Sequence, residues 1–210
     1  MIRLNPKPLP DCRPMLNTND IVLVDSYGNE TGAMEKMEAH RTGRLHRAFS
    51  IFIVNSQAQL LLQQRAISKY HSGGFWSNTC CSHPAPGETI FQAAHRRLDE
   101  ELGFDCELTE IFAFTYRADV GNGLIEHEHD HILLGHYDGV FCLNPDEIQA
   151  CRWMSLAELT NDIAVHGDVY TDWLKLLVRH RLPALAEGIE QLRQSTAKSR
   201  FTPSTAATRC

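Results

Sequence analysis

The run Ser77-Asn78-Thr79-Cys80-Cys81-Ser82-His83-Pro84 sets a thiol and an imidazole two residues apart on a short turn, and the helix that follows ends in Glu100-Glu101-Leu102-Gly103. Thiols, imidazoles and carboxylates are the side chains that bind metals and move protons. His40 and His46 flank Thr42-Gly43, and Glu126-x-Glu128 sends two acids from one face of a strand. Together His40, His46, His83, Glu126 and Glu128 could hold one hard divalent cation (Mn2+, Mg2+ or Zn2+) with a coordination position left open. Taken singly, each histidine reads more simply as a surface or hydrogen-bonded residue, and the acid pair as a solvated strand face. The acid pair is the stronger signal, because like charges on one face repel unless a cation lies between them. His127, His129, His131 and His136 offer rival ligands.

Cys81 lies beside His83, and a nearby cation would lower its pKa and fit it for acid or base work. The same residues also read as half of a structural zinc site, although no second Cys/His pair stands at zinc-finger spacing. A buried inert thiol is the plainest reading and suits Cys80 better. On the helix, Arg97 and Glu101 are four apart and share a face, as an ordinary ion pair would. Alternatively, Glu101 holds a cation that grips a phosphate, with Arg65 and Lys69 adding positive charge.

These groups need elements to carry them. Residues 1–20, rich in Pro, Asn and Asp, read as a flexible leader. Strands are expected at 21–25, 48–55, 59–65, 108–116, 126–140 and 148–154, with 59–65 returning on 48–55 as a hairpin. In the strand from 126, Glu126, Glu128 and Asp130 share one face and His127, His129 and His131 the other. Residues 35–40 suit a helical turn. Thr89 with Gln92 forms a capping box, Phe91, Ala94, Leu98 and Leu102 give a buried stripe, and Gly103 stops the helix. Helices are also expected after Ser155, over 172–180, and from Pro183. Residues 21–194 form a single domain, a mixed α/β or α+β sandwich, and 195–210 a disordered tail.

Composition narrows the class. The chain has 210 residues, with 20 basic against 26 acidic side chains and a formal charge of −6, which argues against a nucleic-acid-binding surface. No apolar run nears the roughly 20 residues that span a membrane, and the start lacks the apolar core of a secretory signal. Seven cysteines at irregular spacing suit free thiols in the cytoplasm.

In order along the chain stand Lys36, His40 and His46-Arg47-Ala48-Phe49-Ser50, then Arg65-Ala66-Ile67-Ser68-Lys69 and Asn78-Thr79-Cys80-Cys81-Ser82-His83-Pro84. Arg96-Arg97 through Glu101-Leu102-Gly103, Tyr116-Arg117-Ala118 and Glu126-x-Glu128 follow. From about Val22 to Trp173 this series resembles the type 1 isopentenyl-diphosphate isomerases, members of the Nudix superfamily. The resemblance implies a Nudix-type mixed β-sheet sandwich flanked by helices. It implies interconversion of isopentenyl and dimethylallyl diphosphate through a carbocation-like intermediate, acting on a small diphosphate and on neither nucleic acid nor membrane, in a cytoplasmic monomer. His40, His46, His83, Glu126 and Glu128 would hold a divalent metal. Cys81 and Glu128, the latter assisted by Tyr116, would be acid/base groups on opposite faces of the substrate. Glu101 would help bind a Mg2+ on the diphosphate, with Lys36, Arg65, Lys69 and Arg97 on the anion and Trp173 over the reacting carbons. Two departures stand out. Ser82 replaces a usual Gly, and Arg97 replaces the first acid of the hydrolytic Arg-Glu-x-x-Glu-Glu pattern, which argues against water attack on phosphorus. A Nudix hydrolase of a diphosphate, which would be indifferent to Cys81, and a non-catalytic metal-storage module are the alternatives.

Overall fold

Residues 48–54 are almost continuously apolar, the pattern of a strand covered on both faces. In the computed structural model, which describes residues 19–201, this run is the hub of the fold as β3 (His46–Val54). Along its whole length it pairs in parallel with β8 (Ile125–His136), from His46↔Glu128 to Val54↔His136. β7 (Leu108–Asp119) pairs antiparallel with the far edge of β8, setting Tyr116 opposite Glu128. Three strands share the other edge of β3. β1 (Asp20–Val24) meets it at Leu23↔His46, β6 (Cys80–Ser82) at Ser50↔Cys81, and β4 (Gln59–Arg65) at Val54↔Leu60.

The expected hairpin of β3 with β4 is therefore a single rung. β4 turns away and spends its ladder on β9 (Ile148–Ser155) and on β5 (Trp76–Ser77). A strand not expected, β2 (Glu30–Glu35), pairs with β1; its Glu-Thr-Gly-Ala-Met-Glu sequence is exposed over most of its length and lacks the apolar alternation that marks a half-buried strand.

Alternation along β3 builds two cores. Phe49, Ile51 and Ile53 join Leu133 and Leu61 under α2 (Ile90–Leu102). Phe52 and Val54 join Leu60, Leu62, Ile132 and Leu134 under α4 (Asp172–Phe201). The capping box of Thr89 and Gln92 and the left-handed Gly103 are as expected. Phe91 is not part of the stripe: it is 38% exposed, and Ala93 and Glu101 are buried instead. The stripe is rotated because Ala93, Ala94, Leu98 and Leu102 already fill the line of contact.

The strand from 126 ends at His136, short of Val140. α3 (Leu156–His166) starts from a Ser155–Glu158 capping box. α4 is one helix where two were expected, and it passes through Pro183 and continues beyond Ser195. An internal proline costs a helix ~3 kcal/mol. Leu177 and Val178 before it, and Leu185 and Ile189 after it, are all buried on the same core, at ~1.5–3 kcal/mol each. Burial wins. The leader to residue 18 and the end from 202 lie outside the described residues.

Candidate active site

One face of the sheet supplies the site. Ile132 and Leu134 of β8 lie under α4, and the same face continues toward the start of the strand as Asp130, Glu128 and Glu126, all buried. Their neighbours point the other way. His127 Nδ1 bonds the Gly43 carbonyl at 3.0 Å, His129 Nδ1 is 3.1 Å from Thr115 Oγ1, and His131 Nδ1 is 2.8 Å from Glu110 Oε1. His127, His129 and His131 are thus on the opposite face from the acids, and His136, at the far end of the strand, is 3.3 Å from Asp138.

The imidazoles converge on those acids from three elements. α1 (Lys36–Thr42) carries His40 and ends on Gly43, whose φ of +62° turns the chain back into β3 and His46. A side chain at Gly43 would be strained and would crowd Ile125 at 3.2 Å. His83 follows β6. His40 Nδ1 donates to the Lys36 carbonyl at 2.6 Å and His46 Nδ1 to the Arg44 carbonyl at 2.8 Å, which turns both Nε2 atoms inward. One ligand atom each from His40, His46, His83 and Glu126 lies within 4.8 Å of the others. Glu128 Oε1 joins them, 2.9 Å from His83 Nε2 and 3.7 Å from His46 Nε2.

A cleft of about 460 Å³ opens against this cluster. Cys81, Tyr116, Glu126, Glu128 and Trp173 line it, as do Lys36, Arg65, Lys69 and Arg97. Tyr116 Oη donates to Glu128 Oε2 at 2.5 Å. The Trp173 Nε1–H donates to Ser77 Oγ at 2.9 Å and to Asn78 Oδ1 at 3.1 Å, so the buried Ser77-Asn78 pair sets the indole plane. Among the cations, Arg65 has a buried Nε with no hydrogen-bond partner among the described residues, and its guanidinium carbon is 5.2 Å from the centre of the Trp173 ring. Lys36 Nζ is 4.8 Å from the Tyr70 ring centre. Lys69 is paired with Glu147, and Arg97 with Glu147 at 3.2 Å and Glu101 at 2.5 Å. Glu101 is not in the cleft wall; Arg97 and the Gln63 amide (3.2 Å) hold its carboxylate behind it.

Burial and charge set the protonation states. Burial pushes the Cys81 thiol up to about 12, although Arg65 pulls the other way, so the metal-free protein holds a neutral S–H. Without a cation, the strand position that hides the thiol outweighs its basic neighbours; the lowering expected from sequence is that of a thiol beside a bound cation. Burial and Glu126 drive Glu128 upward, but His46 and His83 hold it below the ordinary carboxylate range. Against burial, hydrogen bonds to Glu126 and Glu128 raise His46 to about 9, whereas burial lowers His83 to about 4.

Sequence reasoning overlooked Tyr70, His71 and Glu147. The first two sit in what reads as a plain Ser-Gly-Gly loop, and Glu147 reaches Lys69 and Arg97 only through the fold.

Residues 44–174, more than half the chain, match the NUDIX domain family. A relative from Aromatoleum aromaticum named isopentenyl-diphosphate Delta-isomerase 2 is 53% identical over 74% of this chain and 82% of its own. An isopentenyl-diphosphate Delta-isomerase from Pectobacterium atrosepticum is 54% identical over 75% of this chain and 88% of its own. The chain belongs to the isopentenyl-diphosphate Delta-isomerases of the NUDIX family. A crystal structure of a Deinococcus radiodurans protein shares this isomerase's fold at a TM-score of 0.64, with 22% identity, covering 77% of this chain and 99% of that one.

A divalent cation fits the His/Glu cluster of this isomerase. His40 Nε2 and Glu126 Oε2 stand 3.0 Å apart, both buried and both without a hydrogen bond. The Nδ1–H of His40 is spent on the Lys36 carbonyl, so Nε2 is the ring atom turned to Glu126, and a cation between them would satisfy both.

Proposed function

We infer that this chain interconverts isopentenyl diphosphate and dimethylallyl diphosphate. Supporting this most directly is the shared cleft, where the Cys81 thiol, the Glu128–Tyr116 pair and the Trp173 indole meet four cations. Shifting the double bond requires a proton added at one carbon and another removed two carbons away, with a tertiary cation between. Cys81 and Glu128 hold one ionisable proton between them: the thiol is protonated and the carboxylate is not. Proton delivery from one therefore leaves the other free to take the departing proton. After turnover the proton sits on the opposite member of the pair and must return before the same direction runs again. Tyr116, hydrogen-bonded to Glu128, stabilises its charged form and relays a proton at Oε2. The Trp173 face stabilises a cation, and the buried walls keep water from capturing it.

Arg65 and Lys36 receive the diphosphate, joined by Lys69 and Arg97 once its charge competes with Glu147. His40, His46, His83, Glu126 and Glu128 hold a divalent metal, with Mg2+, Mn2+ and Zn2+ the candidates, and Glu101, behind the cleft wall, helps hold the Mg2+ that accompanies the diphosphate once Arg97 turns from it to the anion. When bound, the site metal makes the Glu128–Tyr116 pair a stronger acid.

Purified protein, isopentenyl diphosphate and Mg2+ or Mn2+ are incubated and followed by proton NMR. Growth of the dimethylallyl methyl signals is the expected result. Inorganic phosphate without the isomer would replace this reading with the hydrolase.

A further inference from the structure

The cleft contains a buried imidazole that the roles above leave unused. His71 is 3% exposed and sits on the loop joining β4 to β5. That loop is closed at its neck. The Arg65 N–H donates to the Phe75 carbonyl at 2.9 Å, the Gly74 N–H to the Arg65 carbonyl at 3.0 Å, and the Gln64 amide to the Gly74 carbonyl at 2.9 Å. Its return limb lies directly on its outgoing limb: a Cβ at Gly73 would stand 2.5 Å from the Ile67 carbonyl oxygen. Ser72 takes the left-handed conformation, with φ +50°. Residue 71 is therefore held in place by backbone geometry on both sides.

Three contacts surround its ring. Nε2 is 2.8 Å from Glu126 Oε1, the carboxylate oxygen that faces away from His40. Nδ1 is 3.2 Å from Ser72 Oγ. On its flank the ring meets Trp173 edge-on, with centroids 5.7 Å apart and planes at 90°. A carboxylate free to rotate can offer either oxygen, or both, to a cation. An imidazole against Oε1 leaves Oε2 for the position between His40 and His46.

We propose that His71 is a positioning residue for both halves of the reaction: it fixes which oxygen Glu126 presents to the cation, and it braces the Trp173 indole at one distance from that cation. The role rests on the isomerase reading and on the cation site being real. It accounts for a histidine that is buried in the cleft wall on a loop whose backbone fixes its position.

The test compares wild type with His71→Ala, His71→Gln and His71→Phe, using Co2+ as the probe ion. Gln restores a side-chain N–H near Nε2; Phe keeps the ring edge but has no donor. The visible Co2+ spectrum and Co2+ affinity are read beside kcat and KM. Loss of a partner that orients a ligand costs about 10- to 100-fold in metal affinity or activity. His71→Ala and His71→Phe are expected to lose that much and to shift the Co2+ bands, with kcat falling and KM little changed. His71→Gln is expected to recover the wild-type bands and most of the affinity. Should His71→Ala fail to fold, the Gln and Phe variants carry the comparison. A wild-type spectrum, affinity and kcat in the Ala or Phe variant, or a Gln variant no better than Phe, overturns the proposal. If wild type itself binds no Co2+, the cation site fails, and the His71 role falls with it; if wild type binds Co2+ but forms no isomer, the isomerase reading fails while the spectra still decide the contact to Glu126.

Discussion

Cys81 shows how differently a residue reads in a sequence and in a fold. Its neighbour His83 suggests a reactive thiol once a cation is near, whereas in the metal-free protein its position on β6 keeps the S–H. Replacing Cys81 by Ala removes one of two proton-carrying groups and leaves the imidazole–carboxylate cluster whole. We expect isomerisation to fall by at least about 10²-fold, the low end for loss of a general acid or base, with bound metal per chain and the circular dichroism spectrum unchanged. Near-wild-type turnover would end the assignment. The acids were more legible, because period-two alternation puts Glu126, Glu128 and Asp130 together whatever the partner strands are. His71 was not legible, since nothing local distinguishes a loop histidine that folds inward from one that stays wet.

Protonation of the cluster gives a second expectation at this scale. In the metal-free protein His46 is raised from 6.5 to about 9, so its stabilising contribution is complete below pH 6.5 and disappears as pH rises through 9. His83 is lowered from 6.5 to about 4, so its contribution is present above pH 6.5 and is lost as pH falls toward 4. A cation needs His46 neutral. Metal uptake at pH 7 should therefore release protons and weaken as the solution is acidified. Calorimetric titration in two buffers of different ionisation enthalpy measures the release directly. Identical apparent enthalpies in both buffers would mean that His46 holds no proton to give up.

At the level of elements, local signals were faithful and non-local ones were not. The cap of α2 is written in residues three apart and appears as read, and α3 starts after Ser155 as expected. The parallel pairing of β3 with β8 joins residues about eighty positions apart, and no local pattern encodes it. The shortened hairpin has a related cause: β6, about thirty residues further on, takes the part of the β3 edge that adjacency in sequence would give to β4. α2 offers a clean internal comparison. Thr89→Ala removes the cap and should cost ~1 kcal/mol. Leu98→Ala opens a cavity beneath the helix and should cost ~2–5 kcal/mol. Phe91→Ala, on the outer edge, should cost clearly less than Leu98→Ala. Urea denaturation of the three variants ranks them; a Phe91 variant as damaging as the Leu98 one would restore the stripe that the sequence suggested.

For the whole molecule, the site joins segments that lie far apart in the sequence. Its imidazoles and acids come from α1, β3, the end of β6 and β8, so a cation among them crosslinks segments from residue 40 to residue 128. Buried groups such as His40 Nε2 and Glu126 Oε2 have few other partners among the described residues, so a cation that binds them stabilises the folded state. Cation binding should thus appear as global stability and not as a local effect. At a free cation concentration 100 times the dissociation constant, the gain is about 2.7 kcal/mol. Scanning calorimetry should show the melting temperature drop on treatment with a chelator and return on addition of Mn2+ or Zn2+. His40→Ala removes a ligand that touches no part of the diphosphate, so its melting temperature should be nearly indifferent to chelator. Cys81→Ala, in the same cleft but outside the cluster, should keep the full shift. A chelator-insensitive wild type, or a His40 variant that still responds in full, would mean that the imidazoles and acids are a hydrogen-bonded network with no cation at its centre, and the acidity assigned to the Glu128–Tyr116 pair would need another source.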